Sequence, residues 1–329
     1  MTRINDRSVL TIAGGKKIYI DMACNLAMSF LFWNSNSEIK FYLVTDRADY
    51  IPTGLKSKIN IIEKSTDELN KGFSSKLQIA DFLQTQQTLF IDADCLVYGD
   101  LSSVFNTFEG HLLSVIGYNR TAGINTGFCN DISQVLAKTD TSYYPMLCGS
   151  VYYVENVETA RKAFQYANSL LKSYDDLGLI RLRNRENEEP LIALAMAKFG
   201  QNPVNDTGFI KADRMYYDHL SSNILLGKAK LWSDVQPPVP EYSTLMESQP
   251  LIVHFNASYT ETFEYKAEVI RIRKKYLYKW PVSLANLYAK ILFVAPGKFA
   301  LNAKNLLRPL YHRLFGYRKV PLSQRIVND

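Results

Sequence analysis

Apolar runs that stop at aspartate recur along the first third of this chain, and they narrow the available folds more than any other feature. Residues 17–22 (KIYIDM) carry Asp21, residues 39–45 (IKFYLVT) are followed by Asp46, and Leu89-Phe90-Ile91 is followed by Asp92-Ala93-Asp94. Each run has the length and composition of a short buried strand. Between them lie stretches with helical spacing. Residues 26–33 form one, with Asn25 as a possible cap, and residues 74–83 form another, with Leu77, Ile79, Ala80 and Leu83 in phase. Further strands are expected at 58–62, 112–116, 150–154 and 251–255, and helices at 157–174 and 190–199, the latter with Pro190 in its first turn. Strands alternating with helices predict an α/β fold with a mostly parallel sheet. In such sheets ligands bind beyond the carboxyl ends of the strands.

Asp92 and Asp94 are the sharpest of these strand ends. Side chains at i and i+2 of an extended segment share a face, so the two carboxylates converge. Two adjacent carboxylates repel, and a hard divalent cation with oxygen ligands is the natural neutraliser. The chain has no GxGxxG and no GxxxxGK[ST], which argues against a dinucleotide-binding Rossmann site and a P-loop.

With 329 residues, 47% of them hydrophobic, the chain can build one large domain, or one domain with an appendage. Cys24, Cys95, Cys129 and Cys148 lack zinc-site spacing and suggest no disulfide framework, so a reducing cytosol fits best. The N-terminus lacks the apolar core of a signal peptide, and no run reaches the ~18 uninterrupted apolar residues of a spanning helix.

The block from Ser75-Lys76-Leu77-Gln78 through Phe90-Ile91-Asp92-Ala93-Asp94 to Asp100-Leu101 resembles the DxD region of GT-A-type glycosyltransferases, and especially glycosyltransferase family 8 and its relatives. The resemblance covers roughly residues 15–260. It implies a GT-A fold and transfer of a sugar from a nucleotide-diphosphate donor, most simply UDP-linked, to a glycan or lipid-linked glycan, in a cell-surface polysaccharide pathway. It implies that Asp92 touches the ribose and approaches the metal, that Asp94 ligates Mn²⁺ or Mg²⁺, and that His254, at the end of Leu251-Ile252-Val253-His254, is the remaining protein ligand. Lys76 would lie near the diphosphate or donor sugar, and Ile20-Asp21 would hold the base. Gly149 and Ser150 would let the donor sugar approach the backbone, with Cys148 where the family has Asn. Glu189, at a helix start, would face the reacting sugar as general base or as a group that stabilises it.

From Glu264 to Asp329 the chain has 14 Lys and Arg against three Asp and Glu, a net +11 that leaves the rest at −5. Basic residues interleaved with Trp, Tyr, Phe and Leu have the composition of an interfacial amphipathic helix. The chain therefore divides into a nucleotide-sugar-binding catalytic domain, 1–262, and a basic helical tail, 263–329, expected to hold it at the cytoplasmic face of an anionic membrane. The alternative is a helical subdomain packed on the body or on a second subunit of a homo-oligomer, with nucleic acid a lesser candidate because no motif for it is present. A sugar-phosphate nucleotidyltransferase is the nearest enzymatic rival, and a non-catalytic membrane-associated scaffold the rival of another class.

Overall fold

The computed structural model describes residues 6–69, 72–125, 127–235 and 245–317. The last twelve residues of the basic tail therefore lie outside the described residues. The main sheet contains β1 (Arg7–Ile12), β2 (Lys40–Thr45), β3 (Asn60–Glu63), β4 (Gln87–Ile91), β6 (Leu113–Arg120) and β7 (Tyr144–Glu155) in the order β3-β2-β1-β4-β7-β6. Strands β1 to β4 are mutually parallel, and β7 runs antiparallel to both of its neighbours. A second, three-stranded sheet joins β5 (Cys95–Val97), β12 (Ile252–His254) and β8 (Lys211–Asp213). A third sheet joins β9 (His219–Asn223), β10 (Lys228–Trp232) and β11 (Glu247–Ser248). The α/β class, with a mostly parallel sheet flanked by helices and a helical C-terminal extension, is the one the chain adopts.

Strand alternation divides the core into two layers. Val9, Leu43, Leu89, Ile91 and Tyr153 face one cluster, while Leu10, Val44, Phe90, Tyr152 and Val154 face the other. Period-2 alternation of apolar residues on both faces is the mark of a sheet covered on both sides.

The first strand is not where the sequence suggested. Residues 17–22 are the opening turns of α1 (Lys17–Asn34) and not a strand, so no helix starts at Asn25. Residues 22–30 are buried without a break along that helix, Ile20 with them, so it is enclosed on all sides there and its sequence shows no one-sided apolar period. The true first strand is RSVLTI, in which Ser8 and Thr11 disguise a segment buried from Ser8 to Thr11. Residues 72–82 coil as 3-10 helix (Gly72–Phe82) and not as the α-helix expected. The strand expected at 150–154 is the end of a twelve-residue one, β7.

The tail begins as part of the body. The helix Phe263–Tyr276 lies on α1, where Arg273 Nε donates to Asn25 Oδ1 at 2.7 Å and Tyr265 packs edge-on against Phe255. Glu268 accepts hydrogen bonds from Ser222 Oγ and the Ile224 backbone N–H, and pairs with Arg271 at 2.6 Å. The helix Val282–Ala289 still buries Ala285 and Ala289 against it. A π-helical turn, Lys290–Val294, then leads into the helix Ala295–Phe315, of which no residue is buried.

Candidate active site

Three strand ends meet above the main sheet. After β1 the chain turns through Gly15, held at φ +72°, where a side chain would be strained, and its N–H donates to Asp46 Oδ1 at 2.9 Å. Asp46, just after β2, thus closes the turn after β1, and Asp92 and Asp94 follow β4 as expected. The backbone N–H of Asp92 donates to Ser150 O on β7, which fixes the segment on one side. On the other, the N–H of Phe255 donates to Asp94 O.

Asp92 and Asp94 serve two adjoining clusters. In the first, Lys76 Nζ donates to Asp92 Oδ2 at 2.8 Å, to Glu188 Oε1 at 3.0 Å and to Gly149 O at 3.0 Å. Burial works against the ammonium, but the Asp92 and then the Glu188 carboxylates outweigh it, and its pKa rises well above the ordinary lysine value. Burial also pushes the Asp92 carboxyl up to about 6, against the pull of Lys76 and helped by Asp94. Beside this cluster, Glu188 Oε2 and Tyr152 Oη are buried polar atoms without a hydrogen-bond partner. Such atoms are costly unless something fills the gap between them.

In the second cluster His254 lies between two carboxylates. Its Nε2 is 3.2 Å from Asp94 Oδ1, and its Nδ1 is 2.6 Å from Asp213 Oδ1. Asp213 in turn accepts from Lys211 Nζ at 2.9 Å, and Lys211 also donates to Cys148 O and Ser150 Oγ. Burial raises the Asp213 carboxyl, but Lys211 and then His254 outweigh it and hold it well below the usual range. Burial disfavours the imidazolium of His254, but Asp94 overrides it and lifts the pKa well above the ordinary value. Main-chain pairing sets this row: in register, His254 stands opposite Cys95 on one side and Asp213 on the other.

A carboxylate oxygen and an imidazole nitrogen facing one point, with the second imidazole nitrogen held by a carboxylate behind, is a donor set that a divalent cation accepts. Asp94 and His254 therefore fit a metal, with Asp213 orienting the ring. Cys95 also borders the point, but burial pushes its thiol well above the ordinary value, so it stands there as a small apolar group.

Other expected site residues are placed differently. Ile20 is fully buried inside α1 and offers no surface to a base, and Asp21 lies on the same helix paired with Lys17 and Arg273, not at a strand end. This corrects the strand expected to present both residues, because α1 carries them. Ser150 is fully buried and its hydroxyl is engaged by Lys211. Gly149 is needed for a protein contact: a Cβ there would run into Tyr152 Oη and the Glu189 Cγ. Glu189 accepts a bond from the Gly149 backbone, and burial followed by the neighbouring Glu188 carboxylate pushes its carboxyl up to about 7. Lys211 and Asp213 went unremarked in the sequence, and Glu188 was passed over for Glu189 beside it. The stretch IKADRM gives no strand signal of its own.

A cleft of about 510 Å³ opens against Cys148, Lys211 and Asp213. Tyr118, Tyr216 and Tyr217 line it, with Arg120 and Asp206 among the polar groups. Flat aromatic faces beside hydrogen-bonding groups suit a polyhydroxylated ring.

No protein-family model and no curated protein matches the chain. Among solved structures it is similar to the galactosyltransferase LgtC in complex with donor and acceptor sugar analogs, at 14% identity over 75% of this chain and 86% of that one, with a TM-score of 0.46. It is also similar to the bifunctional glycosyltransferase WbbM, at 10% identity over 78% of this chain and 46% of that one, TM-score 0.48. The glycosyltransferase GlyE of Streptococcus pneumoniae TIGR4 matches at 17% identity over 62% of this chain and 45% of that one, TM-score 0.40. The chain thus spans less than half of WbbM and GlyE, and what it does has to be read from the two carboxylate clusters at the end of β4.

Proposed function

We propose that the chain is a GT-A-type, metal-dependent glycosyltransferase that moves a sugar from a nucleoside-diphosphate donor to a hydroxyl of a glycan or lipid-linked glycan. The observation that carries this is the division of labour around Asp92-Ala93-Asp94. Asp94 and His254 Nε2 face one point from different strands, while Asp92 is held by Lys76 one cluster away. Asp94 and His254 would hold Mn²⁺ or Mg²⁺, which when bound offsets the charge that grows on the diphosphate leaving group. Lys76 places a buried, firmly protonated ammonium in the adjoining cluster, where it would meet a departing diphosphate. The unpaired Tyr152 Oη and Glu188 Oε2 beside it are groups a donor can satisfy.

The acceptor belongs in the aromatic cleft beyond Cys148 and Asp213. Glu189, with its carboxyl near neutrality, would take the acceptor's proton or steady positive charge on the sugar. A cell-surface polysaccharide is the setting that suits such an acceptor.

A thermal-shift screen of nucleotide sugars with and without Mn²⁺ tests the reading. A donor that stabilises only when Mn²⁺ is present, and does so no longer in Asp94→Asn, is the expected result. Transfer or donor hydrolysis that survives in both Asp92→Asn and Asp94→Asn would sink it.

A further inference from the structure

The helix Ala295–Phe315 leaves the body almost at once. The backbone at Gly297 lies against the Phe263 ring, and beyond it only Ala303, Tyr311 and His312 are even half-buried among the described residues. Large apolar side chains are nevertheless lined up along it. Phe299, Leu306, Leu310 and Leu314 are 76%, 80%, 57% and 64% exposed, and Ala303 lies in line with them. At about 100° per residue, positions 299, 303, 306, 310 and 314 fall within roughly 80° of arc. Lys298, Lys304 and Arg308 project on the far side, and Arg313 lies at one edge. Leu287, Ile291 and Leu292, all about half exposed, extend the apolar surface into the preceding turns.

Charge says what can cover this surface. Between Glu268 and Phe315 the chain has no Asp or Glu, against ten Lys and Arg from Arg271 to Arg313. A second copy of the helix laid on the stripe would meet Arg313 at its border and no acidic side chain to offset it. A surface that is apolar at its depth and anionic at its rim matches both features.

We infer that the segment 282–315 is an in-plane membrane anchor: its apolar stripe sinks into the interface of an anionic bilayer and its Lys and Arg side chains reach the phosphate layer. The stretch Val282–Phe315 is also long and apolar enough to cross a membrane. Crossing, however, would place Lys290 and Lys298, which fall in the most apolar part of the stretch, among acyl chains and strip Ala285 and Ala289 from the helix they pack on. Lying flat requires neither, since long basic side chains can extend past the apolar boundary. The inference stands whether or not the chain transfers sugars.

The test is co-sedimentation of the full chain with phosphatidylcholine vesicles, with and without phosphatidylserine. Binding only to the vesicles with phosphatidylserine, weakened by salt, is expected. Leu306→Glu with Leu310→Glu should weaken it by about tenfold or more, with the melting temperature unchanged because the helix stands clear of the core. A chain that stays in the supernatant, or a double variant that binds as before, overturns the inference. So does equal binding to neutral vesicles, resistance of the cellular membrane fraction to alkaline carbonate, or a dimer in light scattering that the double variant converts to monomer.

Discussion

Asp213 is the residue on which most other site groups depend, because Lys211, His254 and Cys148 all hydrogen-bond to it. Asp213→Asn should leave the buried Lys211 ammonium uncompensated and lower stability by about 3 kcal/mol, read from the midpoint of urea unfolding. It should also weaken Mn²⁺ binding by about tenfold or more, since the ring of His254 loses its anchor. Glu189 gives a pH prediction. Its folded pKa, about 7, lies above the ordinary value of 4.5, so the folded state holds this proton more tightly than the unfolded one. Its contribution to stability is therefore present below pH 4.5 and is lost as pH rises through 7. Glu189→Gln should accordingly gain stability relative to the parent at pH 8, compared with the difference at pH 4. In transfer assays the parent's rate should rise from pH 6 to pH 8 if the carboxylate is the base, and the variant should lack that limb. Asp92 and Asp94 were legible as a carboxylate pair ending an apolar run, but their convergence was not, because the chain turns at Ala93 and Asp94 and sends the two side chains into adjoining clusters. Asp213 was not, since nothing near it in sequence reveals that it pairs in register with His254.

At the level of elements, the helix Glu188–Lys198 is what aims two carboxylates at the site. Asn187 caps it, with Oδ1 accepting from the Glu189 N–H at 3.3 Å, and is itself buried. Asn187→Ala should cost about 1–2 kcal/mol of stability, measured by denaturant unfolding, and should reduce turnover because both glutamates lose their fixed direction. The helix was readable from its apolar run and early proline. Residues 17–22 misled, because three apolar residues in a row suit a strand and a buried helix equally, and only the 18-residue continuation separates the two. Gly72–Phe82 misled for a related reason: spacing near three or four residues marks a helix without saying how tightly it coils.

For the whole molecule, the basic tail has two parts with opposite roles. Removing residues 295–329 should leave the melting temperature of the body within a degree or two, because the helix Ala295–Phe315 buries none of its residues. Cutting after Thr262 instead removes Tyr265, Ile272 and the Glu268–Arg271 pair from the core and should unfold or aggregate the chain, as circular dichroism and light scattering would show. Composition marks the whole tail as basic. It cannot mark where packing ends, because that depends on the surface α1 presents to helix Phe263–Tyr276, a contact between opposite ends of the sequence.

The row Asp94, His254, Asp213 has a further meaning once chain connectivity is considered. Asp94, just before β5, lies more than a hundred residues from Asp213 and His254 along the chain, and the row is aligned by the β5-β12-β8 pairing. In the unfolded chain the three are far apart on average, so the pocket for a cation exists only after the longest loops of the molecule have closed. A cation held there would act as a cross-link across those loops, and occupancy of the site would report on completed folding as directly as on readiness to react.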